Sequence, residues 1–401
     1  MHRERWLLPD GIEEVLPPQA RLIEGLRRAI LDLFDRWGYD LVVPPLIEYL
    51  ESLLTGTGSD LDLKTFKLTD PLNGRQLGVR ADITPQVARI DAHRLRRAVP
   101  TRLCYLGAVL HTRPDGFAEG RSPLQIGAEL FGHAGVESDV EVLGLMWRTL
   151  ALAGLEGVHL DLGHVGIFRG LARQADLTQE QELDLFEALQ RKAASEIAER
   201  VREFGITGET ARMLTALADL NGDDALVRAR EVLGAATPAV QWALGYLSQV
   251  AKQLGRVLPE VPVHFDLAEL RGYHYKTGVV FAAFVPGMGQ EVARGGRYDA
   301  IGRLFGRARP AVGFSADLKT LLRLGCGLET RYASVGAVAA PWVEDPALQQ
   351  AIDALRDRGR RVLVLFPGQQ GTAAELGCSE QLVHREDLWV LEPVPDLLLS
   401  I

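Results

Sequence analysis

A chain of 401 residues that is 47% hydrophobic and 24% charged can bury one large core and a smaller one, which sets an expectation of two or three domains. A net charge of −9, with Lys and Arg scattered rather than massed, argues against an extended nucleic-acid face. The charged start MHRERWLLPDGIEEVLP does not read as a signal peptide and no apolar run approaches the ~18 residues that span a bilayer, so the expected location is cytoplasmic.

From Pro17 to Trp37, residues Leu22, Leu26, Ala29, Ile30, Leu33, Phe34 and Trp37 share one helical face, and Gly38 ends the helix. YDLVVPPLIEYLESL is β-rich up to Pro44 and Pro45, and proline there favours an edge strand. TFKLTDPLNGRQLGVRADIT reads as a hairpin around Pro71 to Gly74 whose second strand delivers Arg80, Asp82 and Thr84 to its end. LGAVLHTRPDGFAEGRSPLQIGAELFG reads as strand, loop, strand, and its loop carries His111, Arg113, Asp115, Glu119 and Arg121, a natural place for a phosphate or nucleotide. Ser138 and Glu141 form the spacing of a capping box, which predicts a helix through Ala153 closed by Gly154.

Between about 168 and 255 the strand signal disappears and Thr178 with Gln181 predicts another cap, so this stretch reads as a helical insert. Strands return at VPVHFDLAEL and VVFAAFV, separated by RGYHYKTG, and are followed by GGRYDAIGRLFG and PAVGFSADLKTLLRL. The tail gives strand VGAVAA, helix DPALQQAIDALRDRG and strand RRVLVLF, a small βαβ-like module. The expected class is therefore α+β: a mostly antiparallel sheet flanked by helices, with a helical insert and a small C-terminal α/β module. The expected boundaries are 1–167 and 256–328 for the two parts of the core, 168–255 for the insert and 329–401 for the module.

Cys104, Cys326 and Cys378 lie far apart without a C-x-x-C pair, which speaks for buried free thiols rather than a zinc knuckle or disulfides. His93, His133, His159, His164, His264 and His384 show no ligand spacing, so neither a metal nor a cofactor is expected.

Four stretches carry a family resemblance. GYDLVVPPLIE resembles the dimer-forming motif of class II aminoacyl-tRNA synthetases, and RLCYLGAVLHTRPDGFAEGRSPLQIGAELFG is similar to their ATP-gripping strand-loop-strand. GGRYDAIGRLFGRARPAVGFSADLKTLL resembles their last strand-helix motif, and RGYHYKTGVVF resembles the signature of the histidine enzyme. The resemblance runs over roughly residues 5 to 325 and implies the class II synthetase fold.

It also implies site residues. Asp82 and Thr84 stand where the synthetase holds the substrate α-amino group, with Gln125 beside them. Glu129 matches the acceptor of the imidazole N–H, Arg271 the partner of the carboxylate, and Tyr275 and Tyr298 the ring lining. Gln125 and Glu129, four apart on a strand, share one side. Asp82 is one methylene shorter than the family's glutamate, and Lys276 replaces a tyrosine.

The nucleotide half departs further, because His111 and Thr320 occupy the positions of two phosphate-gripping arginines. Arginine's fixed fork of donors suits phosphate, whereas histidine is mostly neutral at pH 7 and threonine is uncharged. Two lost contacts of about 1.5–3 kcal/mol each would weaken ATP binding by several orders of magnitude. A histidine pocket without an ATP grip resembles the regulatory-subunit family of ATP phosphoribosyltransferase. That resemblance implies a non-catalytic chain with a short-form catalytic subunit as partner, histidine as feedback effector, a homodimer within a hetero-oligomer, and no tRNA. The alternative is a divergent active histidyl-tRNA synthetase.

Overall fold

The computed structural model describes residues 6–55, 59–114, 120–269, 272–273, 275–328 and 336–395. The chain divides into two compact units, Met1–Leu328 and Glu329–Ile401.

The first unit is built on a nine-stranded sheet. At its centre Thr101–Ala108 pairs antiparallel with Leu124–Phe131, which pairs antiparallel with Ala311–Asp317. Ala293–Arg297 and Val279–Phe284 continue the antiparallel run to His159–His164. Val263–Asp266 then adds in parallel, and the two-residue strand Asn221–Gly222 follows it. At the opposite edge Asp40–Leu41 lies parallel to Thr101–Ala108, where Pro44 and Pro45 cannot continue the ladder. The hairpin expected around Pro71 to Gly74 forms between Phe66–Thr69 and Gln76–Val79, with Ile47–Tyr49 on its other side.

Helices cover the sheet with the faces their apolar spacing dictates. Gln19–Arg36 buries Leu22, Leu26, Ile30 and Phe34, four residues apart on one stripe, each side chain contributing about 1.5–3 kcal/mol on full burial. Gly38, at φ +79°, closes the helix as its N–H bonds Asp35 O at 2.8 Å. Val136–Leu152 begins earlier than the Ser138 capping box predicts. Gly135 is its N-cap, and Ser138 sits inside the first turn, where its hydroxyl bonds Gly135 O and receives Arg297. Glu141 is drawn away by Arg102 at 2.7 Å and Tyr39 at 3.0 Å, which is why the box does not close.

The helical segment starts at Val165–Gln174, directly after a strand, His159–His164, that the sequence reading passes over. It continues through Gln179–Gln190, Ala194–Glu203, Gly208–Ala216, Ala225–Val232 and Pro238–Val257, interrupted by Asn221–Gly222. The Thr178 and Gln181 capping box is present with both of its bonds.

In the second unit Ala337–Pro341, Pro346–Asp357 and Val362–Leu365 make the parallel βαβ crossover that the tail's pattern predicts. A hairpin of Cys378–Arg385 and Leu388–Pro393, absent from that reading, completes a four-stranded sheet. Cys104 and Cys378 are buried, but Cys326 is exposed, because it lies just beyond the helix Leu318–Leu324. Among the described residues no helix is long and apolar enough to cross a membrane.

Candidate functional site

The face of the nine-stranded sheet holds a cavity of about 430 Å³. Asp82, Thr84, Gln125, Glu129, Tyr275 and Tyr298 all line it, so the structure gathers every described residue that the sequence placed in the pocket. Arg271 lies outside the described residues.

Glycines make the floor. Glu129 is the register partner of Gly313, and a Cβ there would collide with the Glu129 carboxylate. On the neighbouring strand Tyr105 pairs with Gly127, whose missing side chain leaves room for the phenol hydroxyl. Tyr105 donates to Glu129 Oε1 at 3.1 Å, and Tyr298 donates to Oε2. Thr84 Oγ1 stands 2.9 Å from the Tyr105 hydroxyl. The carboxyl group is thus aimed by two tyrosines and almost sealed from solvent, at 1% exposure. That burial pushes its pKa up to about 8, against the opposing pull of the Tyr298 hydrogen bond.

The second cluster is as ordered. Asp82 Oδ1 accepts from the Thr84 N–H at 3.0 Å and from Gln125 Nε2 at 2.8 Å, while Gln125 Oε1 accepts from the Ile83 N–H at 2.9 Å. The bond two residues along the chain is the local turn that a short aspartate favours, which accounts for the missing methylene. The result is a fixed group of oxygens suited to an ammonium.

Lys276 is a contributor that sequence reasoning recorded only as a departure. Its side chain is buried on the cavity wall and Nζ donates to Gly295 O, where a Cβ on Gly296 would crowd it. Burial, with Arg294 nearby, pushes its pKa down to about 7. Tyr105 was missed as well. The one sequence signal for both is the glycines opposite them, Gly127 and Gly296.

The positions matching the phosphate grip, His111 and Thr320, also line the cavity, but His111 Nε2 and Thr320 Oγ1 are bonded to protein groups. His111 is buried and donates from Nε2 to Ala81 O at 2.9 Å. Thr320 Oγ1 donates to Asp317 Oδ2 at 2.8 Å, and Asp317 also receives the Leu124 N–H at 2.9 Å. Arg121, a candidate phosphate ligand in the loop, donates to His111 O at 3.0 Å and Asp10 O at 3.1 Å. Arg113 is exposed, and Asp115 and Glu119 lie outside the described residues.

The comparisons with known proteins follow the same division. A family model described as Histidyl-tRNA synthetase matches residues 11–321, and one described as ATP phosphoribosyltransferase subunit HisZ C-terminal domain matches residues 335–392. The ATP phosphoribosyltransferase regulatory subunit of Alkalilimnicola ehrlichii is 60% identical over 392 residues, covering 97% of this chain and 98% of the relative. The chain belongs to the ATP phosphoribosyltransferase regulatory subunit family. The regulatory subunit of Methylococcus capsulatus is 58% identical over 392 residues, covering 98% of this chain and 97% of its own.

Among solved structures, an ATP phosphoribosyltransferase regulatory subunit/histidyl-tRNA synthetase from Bacillus halodurans superposes with a TM-score of 0.81 at 26% identity, covering 92% of this chain and 95% of that one. Histidyl-tRNA synthetase from Nostoc shares the fold at a TM-score of 0.77 and 19% identity, covering 94% and 91%. As a member of the regulatory-subunit family, the chain is a non-catalytic subunit in histidine biosynthesis, and catalysis resides in its partner.

Proposed function

We propose that the cavity binds free histidine as a feedback effector and that the chain transmits occupancy to a short-form catalytic subunit. The observation that carries this reading is the pairing of a preorganised Glu129, held by Tyr105 and Tyr298, with phosphate-grip positions committed to protein partners. Glu129 accepts the imidazole N–H. Asp82, Thr84 and Gln125 receive the α-ammonium, Tyr275 and Tyr298 flank the ring, and Arg271 meets the carboxylate. Each polar role gives a partner to a group of the ligand that the cavity takes out of water.

The chain works as a homodimer within the hetero-oligomer, without tRNA and without a cofactor. In support, the edge strand and its continuation expose Leu41, Val43, Leu46 and Ile47, an apolar strip suited to a second copy. Calorimetry on the isolated chain, together with histidine-dependent ATP–pyrophosphate exchange, tests the reading. Binding of histidine without exchange is expected; clear exchange would make the chain a divergent synthetase instead.

A further inference from the structure

Away from the cavity, the parallel pairing of His159–His164 with Val263–Asp266 sets Asp161 directly opposite His264. His159, two residues before Asp161, stands on the same side of the strand. One ligand-capable atom from each of the three lies within 4.8 Å of the others. We propose that His159, Asp161 and His264 form a site for a divalent transition-metal ion of the zinc class, with Asp223 holding His264 in the ligating tautomer.

The distances favour a shared ion over mutual hydrogen bonding. His159 Nε2 and His264 Nδ1 each stand 3.9 Å from Asp161 Oδ1, too far for a hydrogen bond. Two ligands on one tetrahedral zinc stand about 3.4 Å apart, so small side-chain rotations close the site. Neither imidazole is loosely held. His159 stacks on Phe284, its register partner, with centroids 5.6 Å apart and planes at 19°, and tilts against His264 at 4.9 Å.

The other nitrogen of His264 supplies the second line of support. Nε2 is 3.3 Å from the exposed Asp223 Oδ1, an acceptor placed on the side away from Asp161, and Nδ1 is the nitrogen nearer Asp161. A carboxylate on the far nitrogen is the usual device for fixing a metal-binding imidazole. The neighbouring Asp266 is engaged with Lys192 at 2.8 Å and is not assigned as a ligand. Three protein ligands, two part-buried and one exposed, leave a fourth position for water. His159 and Asp161 lie on one strand and His264 on the next, so an occupied site ties these two paired strands together. The sequence expectation of no metal rested on spacing along the chain, which parallel pairing makes irrelevant.

The test uses the full-length, tag-free chain stripped with chelator. Zinc chloride in the calorimeter should titrate one equivalent per chain and raise the melting temperature, and cobalt chloride should give the intense visible bands of a low-coordinate site. His264→Ala and Asp161→Asn should weaken zinc binding at least tenfold, and Asp223→Asn by roughly tenfold to a hundredfold. Melting of each variant without metal, compared with wild type, establishes that it folds. The proposal is overturned if the wild-type chain takes up no zinc and cobalt shows only its aqueous spectrum, or if the folded variants bind as tightly as wild type.

Discussion

Glu129→Gln keeps the shape of the pocket's central acceptor and removes its charge. The carboxyl accepts from Tyr105 and Tyr298, and a glutamine amide can keep one bond while a phenol rotates to accept the other. A charge-assisted bond to the ligand's N–H is worth about 1.5–3 kcal/mol, but ionising a group whose pKa is near 8 costs about 1.4 kcal/mol at pH 7. The net loss at pH 7 is therefore about 0–1.6 kcal/mol, up to roughly fifteenfold in affinity, and it grows with pH. The ionised fraction rises from about a tenth at pH 7 to about three quarters at pH 8.5, so the ratio of wild-type to variant association constants should rise roughly eightfold. Taking the ratio cancels the titration of free histidine, which is common to both proteins, while Lys276, whose pKa Glu129 raises, loses that support in the variant. Calorimetry with L-histidine at the two pH values reads it directly, and a ratio that stays near one at both would refute the assigned acceptor role.

Because folding holds the Glu129 proton more tightly than the unfolded chain does, the empty protein should lose stability as pH rises from the ordinary glutamate value of 4.5 to about 8, and urea midpoints of Glu129→Gln should show a flatter profile. Gly313→Ala should cut histidine binding at least tenfold and cost about 1–3 kcal/mol by overpacking, since its Cβ meets the Glu129 carboxylate and Ala128 O; calorimetry and urea unfolding read the two effects. Arg297→Met strands the fully buried Asp139, 2.9 Å away, and should lower stability by about 3–5 kcal/mol in the same unfolding assay. Iodoacetamide followed by peptide mapping should label exposed Cys326 first. Cys104, whose thiol is pushed up to about 12 by burial, should react only on unfolding.

What was legible in the sequence was local. The stripe of Leu22, Leu26, Ile30 and Phe34 and the hairpin around Pro71 to Gly74 follow from periodicity and turn chemistry, and the four-residue spacing of Gln125 and Glu129 puts both on the cavity side. What escaped was set by tertiary partners. Ser138 and Glu141 have the spacing of a cap, yet Arg297, Arg102 and Tyr39 claim them. His159–His164 is a short strand wedged between two helices and takes its identity from Val279–Phe284 alongside it. Tyr105 reaches Glu129, and Lys276 the cavity wall, against glycines on other strands, and His159 meets His264 only through a parallel register.

The central claim is that an inherited amino-acid pocket, no longer able to activate its ligand, regulates a partner's catalysis. Histidine titration of the reconstituted complex with the catalytic subunit tests it most directly, comparing wild type with Glu129→Gln and Arg271→Ala at pH 8.5. The account predicts that both variants still support phosphoribosyltransferase activity, because activation depends on assembly, and that both need more histidine for inhibition. Identical histidine sensitivity in all three complexes would contradict it and place the effector site elsewhere.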